Sequence, residues 1–501
     1  MKPEDFRVLF IYPNLQMSAL IPYGIGLLAA VLKSSGFTTA VFDATMYKSG
    51  TNDPNIDKVK TGMVKPFDYS ERNIKLKTTD MYEDLRKKVE EFQPNLIAIT
   101  SVESTYFLAL ELLKSIKSFR IPCVYGGVFA TFAPEEIISN DGVDFVCRGE
   151  GEGALLELCQ KMSRREDVTN IANLWVKKDD KIYKNVLRNP IDLDTLPFPD
   201  YDDFDDMAIY RPMTGKIWRM LGIETARGCP YSCSYCNSPS SSDLYNEQTG
   251  QTFYRQKSIY RIIEELKFLK KKYEVEFLYI LADTFLSLKE DILKEFAQMY
   301  KDIDVPFWMN TRPETVTEKK MNILEGMKIH RMGMGVEHGN EEFRKKMLNR
   351  RISNSKIIRA FEIASNANCS VTSNNMIGFP GETRELVFDT INFNRQLPEK
   401  VEATGAFIFS PFRGTPLRDI AIRLKQLDPG TIVSMNYTSG TALNLPGLSQ
   451  EELVGLTRVF SFYMKFPETM YEQISIAEKF DEDGENMYLK LLKQYQEEFL
   501  N

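Results

Sequence analysis

Histidine is the scarcest chemically useful residue in this 501-residue chain, with only His330 and His338 present. Any mechanism that depends on a cluster of histidines is therefore excluded. A net basic charge is missing as well, because 63 Lys and Arg face 70 Asp and Glu and give a net charge of −7 at pH 7. No overall positive field exists to gather nucleic acid, so we expect no nucleic-acid partner.

Long apolar runs are also missing. No stretch approaches the ~20 apolar residues that cross a bilayer, and the amino terminus lacks the apolar core of a signal peptide. We therefore expect a cytoplasmic protein without a transmembrane segment. The remaining composition, 43% hydrophobic and 27% charged residues, is typical of globular proteins, and the length predicts two to four domains.

The first third of the chain alternates between short apolar strands and helices. Continuous apolar strands separated by helices indicate a Rossmann-like parallel sheet that is covered on both faces. Ligands of such sheets bind at the carboxyl ends of the strands. The segment 46–79 is too long for a simple connection, so we expect it to cross the ligand-side edge. The predicted strands span residues 7–12, 38–42, 95–100, 122–125 and 143–146.

Alternation between strands and helices resumes after a proline-rich, acidic connector with a hairpin predicted at Asp179-Asp180. Strands are predicted at 223–226, 276–280, 306–310, 330–335, 369–376 and 403–409. Six such repeats form a partial (β/α)6 barrel, with its chemistry at the carboxyl ends of the strands. The fold class is therefore α/β with a helical C-terminal region. The predicted domains are 1–165 (Rossmann-like sheet), 166–222 (linker), 223–420 (barrel) and 421–501 (helical).

Three of the seven cysteines lie within eight residues, in the loop after the first barrel strand: Cys229, Cys233 and Cys236. A [4Fe-4S] cluster normally takes four thiolates, so three ligands leave one iron open to a non-protein ligand. Structural zinc is the alternative, but it requires four protein ligands. The other cysteines are expected to be small buried hydrophobic residues.

This triplet, with Tyr235 before its last cysteine, resembles that of the radical S-adenosylmethionine (SAM) superfamily. The resemblance implies that the amino and carboxylate groups of SAM chelate the open iron. Transfer of one electron, from an external donor of the flavodoxin or ferredoxin type, then cleaves the sulfonium to a 5′-deoxyadenosyl radical. Such a radical requires a dry site that holds SAM and substrate together.

Further segments at the predicted strand ends resemble the same superfamily and imply SAM-binding residues. The segment 279–285 departs from the usual Asp-Asp-x-Phe at Ala282, which leaves Asp283 as its candidate. The Gly-x-Glu-x-Gly turn at 335–339 carries His338 in place of the commoner Ser; His338 is either an acid–base group or a satisfied polar residue. Together with Tyr235, the implied SAM-binding residues are Asp283, Asn310, Arg312 and Glu337.

The N-terminal third resembles the cobalamin-binding domain of the B12-dependent radical SAM class. Glycines let a large corrin ring approach the backbone, and hydroxyl side chains can bond its nucleotide tail. The alternative is a degenerate flavodoxin-like sheet kept for docking. The implied cobalamin-binding residues are Ser101, Ser104, Thr105, Gly126, Gly127, Thr131, Glu150 and Gly151.

The N-terminal third contains no histidine, although many cobalamin domains carry Asp-x-His-x-x-Gly, whose His ligates cobalt. The lower face of cobalt is therefore expected to be empty, water-bound or covered by a side chain of the segment 46–79. An empty lower face favours transfer of a methyl group to a carbon or phosphorus radical.

The resemblance implies a cobalamin-dependent methyltransferase that acts on an unactivated carbon of a small-molecule or peptide substrate. One SAM methylates cobalt(I), and a second yields the radical that abstracts a substrate hydrogen. A non-methylating cyclase or ring-rearranging enzyme is the alternative. A methylthiotransferase acting on transfer RNA fits less well, because it needs a second cysteine triplet, and a zinc-stabilised binding module is the non-enzymatic reading. The sequence does not identify the substrate.

Overall fold

The computed structural model describes residues 1–48, 54–61, 64–367, 369–434 and 438–500. Parts of two predicted regions lie outside the described residues: 49–53 and 62–63 of the predicted edge crossing, and 435–437 and Asn501 of the predicted helical region. None of the described helices combines the length and the apolarity needed to cross a membrane.

The first sheet has seven strands in the order β2-β1-β3-β4-β5-β6-β7. The first five strands are parallel. The chain adds β2 on one side of β1 and β3 on its other side, and open sheets of this kind bind ligands at such a switch in strand order. The last two strands form the predicted hairpin and pair antiparallel with β5, so the hairpin extends this sheet beyond residue 165. The strands are β1 (Arg7–Tyr12), β2 (Thr38–Asp43), β3 (Leu96–Thr100), β4 (Cys123–Gly126), β5 (Phe145–Cys147), β6 (Leu174–Lys178) and β7 (Lys181–Lys184).

Helices cover both faces of this sheet, because successive strand residues point to opposite faces and both sets are apolar. Val8 and Phe10 of β1 pack with the first and seventh helices, whereas Leu9 and Ile11 pack with the third to sixth. The helices are α1 (Tyr23–Ser34), α2 (Pro54–Lys60), α3 (Met81–Phe92), α4 (Tyr106–Ser115), α5 (Val128–Phe132), α6 (Pro134–Ile138) and α7 (Glu152–Arg164).

The second sheet contains the six predicted parallel strands, in the order β16-β15-β14-β13-β12-β9, and an antiparallel edge strand, β8, that the sequence analysis missed. The first parallel strand begins seven residues earlier than predicted. Two short strands, β10 and β11, pair with each other beside it. The strands are β8 (Tyr210–Met213), β9 (Lys216–Glu224), β10 (Ala226–Arg227), β11 (Arg255–Gln256), β12 (Phe277–Leu281), β13 (Phe307–Thr311), β14 (Ile329–Glu337), β15 (Ser370–Ile377) and β16 (Glu402–Ile408).

Helices follow the strands of the second sheet and cover its outer face, as in a partial barrel. Ile262 and Leu266 on the first long helix, for example, pack with Leu278 and Ile280 of β12. These helices are α8 (Ser238–Thr249), α9 (Ile259–Tyr273), α10 (Glu290–Tyr300), α11 (Glu318–Ile323), α12 (Glu341–Met347), α13 (Asn354–Ser365), α14 (Arg384–Asn394) and α15 (Pro416–Arg423).

The C-terminal region packs against the barrel edge at β16. Its first helix begins with the predicted capping box, in which Ser449 and Glu452 each bond the other's backbone N–H. Leu456 and Phe460 of this helix join Ile408 in one apolar core. The helices are α16 (Gln450–Lys465), α17 (Tyr471–Ala477) and α18 (Glu482–Phe499).

The described residues of the segment 46–79 contact both sheets: Tyr47 packs in the core of the first sheet, and later residues lie against the barrel. Arg72 pairs with Glu276 at 2.7 Å, just before β12, and the backbone of Pro66 lies beside Gly215, in the turn between β8 and β9. The hydroxyl of Tyr488 on α18 donates to the carbonyl of Lys60. This segment and α18 therefore meet each other beside the curled second sheet.

Candidate functional site

The cysteine loop begins at the carboxyl end of β9, where the chain turns sharply at Gly228. Gly228 has φ +83°, and an added Cβ would lie 2.9 Å from the ring of Phe253 and 3.2 Å from Cα of Tyr254. Only glycine fits that position without strain. The turn places Cys229 at the barrel mouth, and the N–H of Cys236 donates to the carbonyl of Cys233 at 3.2 Å.

Charged and polar donors surround the three sulfurs. The Arg312 guanidinium lies 2.7 Å from Sγ of Cys233, and the N–H of Ser238 donates to Sγ of Cys236 at 3.4 Å. Burial raises the pKa of the Cys229 and Cys236 thiols, and the nearby Cys233 adds a smaller increase to both. The three cysteines therefore lie close enough to interact.

The donor set suits an iron–sulfur cluster, which takes cysteine thiolates as its protein ligands. Among the residues described, no three His, Cys, Asp or Glu side chains converge as one metal ion would require. In a cubane, each thiolate binds a different iron atom, so the sulfurs need not converge. Hydrogen bonds to the sulfurs, of the kind that Arg312 and Ser238 supply, tune such clusters.

A carboxylate network extends from this loop to the end of β14. Tyr235 donates its hydroxyl to Glu337 Oε1 at 3.1 Å, and Arg350 lies 3.3 Å from the same oxygen. Burial raises the pKa of Glu337, while Arg350 opposes that increase. Glu337 also has φ +67°, an uncommon conformation that is typical of functional turns. The sequence-predicted residues Tyr235 and Glu337 thus contact each other.

Asp283 and Asn310, predicted SAM-binding residues at the ends of β12 and β13, face different parts of the site. Asp283 Oδ2 accepts from the hydroxyl of Ser238 at 3.1 Å, beside the cysteine loop. The Asn310 amide instead faces the barrel interior, where it donates to Tyr279 at 2.8 Å and accepts from Trp308 at 3.2 Å.

His338 is fully buried and lines neither of the two large cavities described below. Its Nδ1 accepts from the N–H of Asn340 at 3.0 Å, its Nε2 lies 3.0 Å from Glu382, and its ring stacks on Phe343. This environment places the ring in the protein core, and the role of His338 stays a prediction. The ring holds the turn after Glu337.

A cavity of about 740 Å³ lies between the two sheets, at the carboxyl ends of β1, β3, β4 and β5. We call it the cleft. Seven of the eight predicted cobalamin-binding residues line it: Ser101, Thr105, Gly126, Gly127, Thr131, Glu150 and Gly151. Ser104 does not line it. From the barrel side, Asn237, Ser238 and Asp283 line the same cleft, so the cysteine loop and the first sheet share one space.

Glycine and hydroxyl side chains shape the floor of the cleft. Gly127 has φ +100°, and an added Cβ would lie 2.5 Å from the carbonyl oxygen of Ser101. Thr131 accepts from the N–H of Gly149 at 3.0 Å and holds the neighbouring turn. A small-residue floor with hydroxyl groups at its edge fits a large planar cofactor.

Glu150 lines the cleft, but its carboxylate forms ion pairs with two arginines of the barrel, Arg227 and Arg255. Arg227 lies 2.7 Å from Glu150 Oε1, Arg255 contacts the same oxygen, and Arg227 also pairs with Glu152 and Glu224. Sequence reasoning missed Arg227, although its position two residues before Cys229 was a usable signal.

A second cavity of about 1100 Å³ fills the barrel interior. We call it the barrel cavity. Tyr235 and Glu337 of the carboxylate network line it. Residues of the segment 46–79, of β8 and of α18 line it as well. Four residues of the segment 46–79 line this cavity, Asn55, Lys58, Val64 and Lys65, and none of the described residues of that segment lines the cleft. A cover under cobalt from this segment stays a prediction. No spacing in the sequence indicated the contribution of α18.

Two family models match the chain: "Radical SAM superfamily" over residues 223–393 and "B12 binding domain" over residues 18–159. They cover the partial barrel with its cysteine loop and the first sheet with its glycine turns. The matches confirm the sequence-based identification of both regions.

Curated relatives include an uncharacterised methyltransferase of Pyrococcus horikoshii, 28% identical, with 78% of this chain and 83% of the relative covered. An anaerobic magnesium-protoporphyrin IX monomethyl ester cyclase of Rubrivivax gelatinosus is 25% identical over 78% of this chain and 65% of its own. Among solved structures, the radical SAM methyltransferase TsrM of Kitasatospora setae has a TM-score of 0.64 at 16% identity, with 98% and 99% of the two chains covered. That similarity confirms the fold over nearly the whole chain. The chain therefore combines a radical SAM domain over residues 223–393 with a B12 binding domain over residues 18–159.

Proposed function

We propose that this protein is a cobalamin-dependent radical SAM methyltransferase that methylates an unactivated carbon of a small-molecule substrate. One observation carries the proposal: Asp283 and Ser238, beside the cysteine loop, line the same cleft as Gly126 and Gly127 of the first sheet. A cluster site and a corrin-sized floor therefore adjoin one space, as a reaction that uses both cofactors requires.

The residues around the cysteine loop would hold and tune the cluster. Cys229, Cys233 and Cys236 supply its thiolates, while Arg312 and the N–H of Ser238 stabilise two of them by charge and hydrogen bonding. When bound, the cluster with SAM would supply a 5′-deoxyadenosyl radical, and cobalamin would supply the methyl group. An external one-electron donor of the flavodoxin or ferredoxin type completes the requirement.

Two carboxylates, Glu337 and Asp283, would orient SAM. Glu337 is held by Tyr235 and Arg350 at the carboxyl end of β14, where its oxygens can accept hydrogen bonds from an ammonium or a ribose hydroxyl. Asp283 lies on the other side of the loop and is held by Ser238. Asn310 faces the barrel cavity, so we assign it to the substrate side rather than to SAM.

A non-methylating cyclase is the second candidate, because a relative with that name matches 78% of this chain at 25% identity. The two candidates share the cysteine loop, the cleft and the radical. They differ in whether a methyl group leaves SAM, and that difference can be measured.

The test is anaerobic reconstitution with iron, sulfide and cobalamin, followed by incubation with SAM and a chemical reductant. We expect absorption near ~400 nm from the cluster and the formation of 5′-deoxyadenosine, quantified by mass spectrometry. With substrate present, a methyltransferase also forms S-adenosylhomocysteine. Formation of 5′-deoxyadenosine without S-adenosylhomocysteine in the presence of converted substrate would favour the cyclase.

Cys233→Ala and Cys369→Ala form a matched pair for this test. Cys233 is a proposed cluster ligand, whereas Cys369 packs beside the barrel core outside the site. We expect Cys233→Ala to abolish 5′-deoxyadenosine and Cys369→Ala to retain it. Equal activity of the two variants would contradict the assignment of the cluster.

A further inference from the structure

A glutamate beside the cysteine loop, Glu314, has no role in the site described above. It lies in the 3-10 turn Pro313–Thr315, which follows Arg312 at the end of β13. Thr315 holds this turn, because its N–H and its hydroxyl both donate to the carbonyl of Arg312, at 3.0 and 2.7 Å. The turn therefore fixes the places of Arg312 and Glu314 relative to each other.

The carboxylate of Glu314 joins two arginines. Nη2 of Arg312 lies 2.6 Å from its Oε1, and Nη2 of Arg350 lies 3.4 Å from its Oε2. Burial would raise the pKa of Glu314, but the hydrogen bond with Arg312 and the charge of Arg350 lower it below the ordinary value of 4.5. Glu314 is therefore ionised at neutral pH.

Each of these arginines contacts one part of the proposed radical site. Arg312 lies 2.7 Å from Sγ of Cys233 and 3.9 Å from the centre of the Tyr231 ring. Arg350 lies 3.3 Å from Glu337 Oε1, at the other end of the network. With the cysteine as a thiolate, five side chains form a row in which the sign of the charge alternates: Cys233, Arg312, Glu314, Arg350 and Glu337.

Two further charged groups lie near this row and do not replace Glu314. Arg344 is buried close to Arg350, but it donates to two main-chain carbonyls and a side-chain amide. Asp283 accepts from a hydroxyl on the other side of the cysteine loop. In the part of the chain that the structure describes, Glu314 is the only carboxylate within 4.0 Å of the Arg312 guanidinium.

We propose that Glu314 is a positioning residue that holds Arg312 at Cys233 and offsets its charge, and so lowers the reduction potential of the cluster. Reduction adds an electron, so a cation beside the cluster favours the reduced state and an anion opposes it. A low potential suits a cluster that must pass an electron to SAM. The proposal rests on the proposed function, because it requires a cluster at the three cysteines.

The test is a redox titration of the protein loaded with cluster and cobalamin, without SAM, followed by the electron paramagnetic resonance signal of the reduced cluster. Glu314→Gln removes one negative charge, while Cys233 and Tyr231 still hold Arg312. At a fixed potential we expect the equilibrium to move about tenfold toward the reduced cluster. For a one-electron couple this is a shift of about 59 mV to more positive potential.

Three further variants separate the charge of Glu314 from its shape. Glu314→Asp keeps the charge and should stay within about threefold of the wild type. Arg312→Gln should shift the potential in the opposite direction, and the double variant Arg312→Gln/Glu314→Gln should return to within about threefold of the wild type. Glu318→Gln is the matched control, because it removes the same charge from an exposed pair with Arg359 and should leave the potential unchanged.

Iron and sulfide analysis of every variant shows whether the cluster is loaded. The role of Glu314 is overturned if the loaded Glu314→Gln variant shifts by less than about twofold or to more negative potential, or if Glu314→Asp shifts as far as Glu314→Gln. Should Glu314→Gln fail to load, the double variant decides, and a shift as large as that of Arg312→Gln alone would overturn the proposal. Absence of a cluster from the wild type would instead contradict the proposed function, and this inference with it.

Discussion

The cleft and the barrel cavity adjoin each other, with Ser18 lining both, but they are built from different kinds of residue. Glycines and hydroxyl side chains at the ends of successive strands form the floor of the cleft. Carboxylates, amides and aromatic rings line both cavities, but among the described residues no lysine lines the cleft and no glycine lines the barrel cavity, whose lining comes from distant parts of the chain. The difference matches the proposed roles of the cleft as the cobalamin site and of the barrel cavity as the substrate site.

The two cavities also differ in how their walls are fixed. Tyr23 of the cleft donates to Glu265 at 2.9 Å, and Lys257 pairs with the same carboxylate at 2.8 Å, with both charged side chains almost fully buried. In the barrel cavity, Arg331 pairs with a carboxylate that is 37% exposed. The cleft wall is therefore held between α1 and α9 by a buried charge pair, whereas Arg331 of the barrel cavity pairs with a partly exposed carboxylate.

The largest expected effect tests this contrast directly. Lys257→Met leaves the buried carboxylate of Glu265 without its cation and should lower the free energy of unfolding by about 3–5 kcal/mol. Arg331→Met in the barrel cavity should lower it by about 1 kcal/mol or less, because its partner is partly solvated. Urea unfolding, followed by circular dichroism, measures both. Similar losses in the two variants would contradict the proposed difference between the walls.

The sequence made the cleft predictable because its residues follow strand ends at short, regular spacings. Gly126 and Gly127 come directly after an apolar strand, and parallel strands bring their carboxyl ends to one edge. Ser104 was the exception: it lies between Glu103 and Thr105 in a single 3-10 turn, and only Thr105 faces the cavity. Spacing within one turn does not reveal which side chain points inward.

The barrel cavity was not predictable in the same way, because its residues meet only after folding. Lys65 and Tyr495 both line it from segments far apart in the chain, and in the same two segments the hydroxyl of Tyr488 donates to the carbonyl of Lys60, 428 positions away. The pairing of Lys257 with Tyr23, 234 positions away, was equally invisible. Single-sequence patterns encode local periodicity, whereas these contacts depend on how the two sheets and the C-terminal helices pack.

A second prediction tests the glycine floor of the cleft. Gly127→Ala forces a Cβ to within 2.5 Å of a backbone oxygen at φ +100°, so the floor must shift. We expect the cobalamin retained after gel filtration to fall by roughly tenfold, consistent with about 1–3 kcal/mol of backbone strain. Gly142→Ala is the matched control, because Gly142 has φ +86°, no atom lies within 4 Å of its added Cβ, and it does not line the cleft. Equal retention by the two variants would show that the floor does not need glycine at 127.

The smallest expected effect concerns Glu150, which the sequence analysis assigned to cobalamin and the structure pairs with arginines. Burial alone would raise the pKa of Glu150, but Arg227 and Arg255 lower it below the ordinary value of 4.5. The ionised carboxylate therefore stabilises the fold above that pH, and this contribution is lost as the pH falls through the lowered pKa. Glu150→Gln should lower the free energy of unfolding by about 1–2 kcal/mol at pH 7, and this difference in free energy from the wild type should narrow below pH ~4.

The same variant also tests whether Glu150 binds cobalamin. Since the carboxylate already pairs with two arginines, cobalamin retention should stay within about twofold of the wild type. A large loss of cobalamin with unchanged stability would instead show that Glu150 binds the cofactor and that its ion pairs with Arg227 and Arg255 do not stabilise the fold.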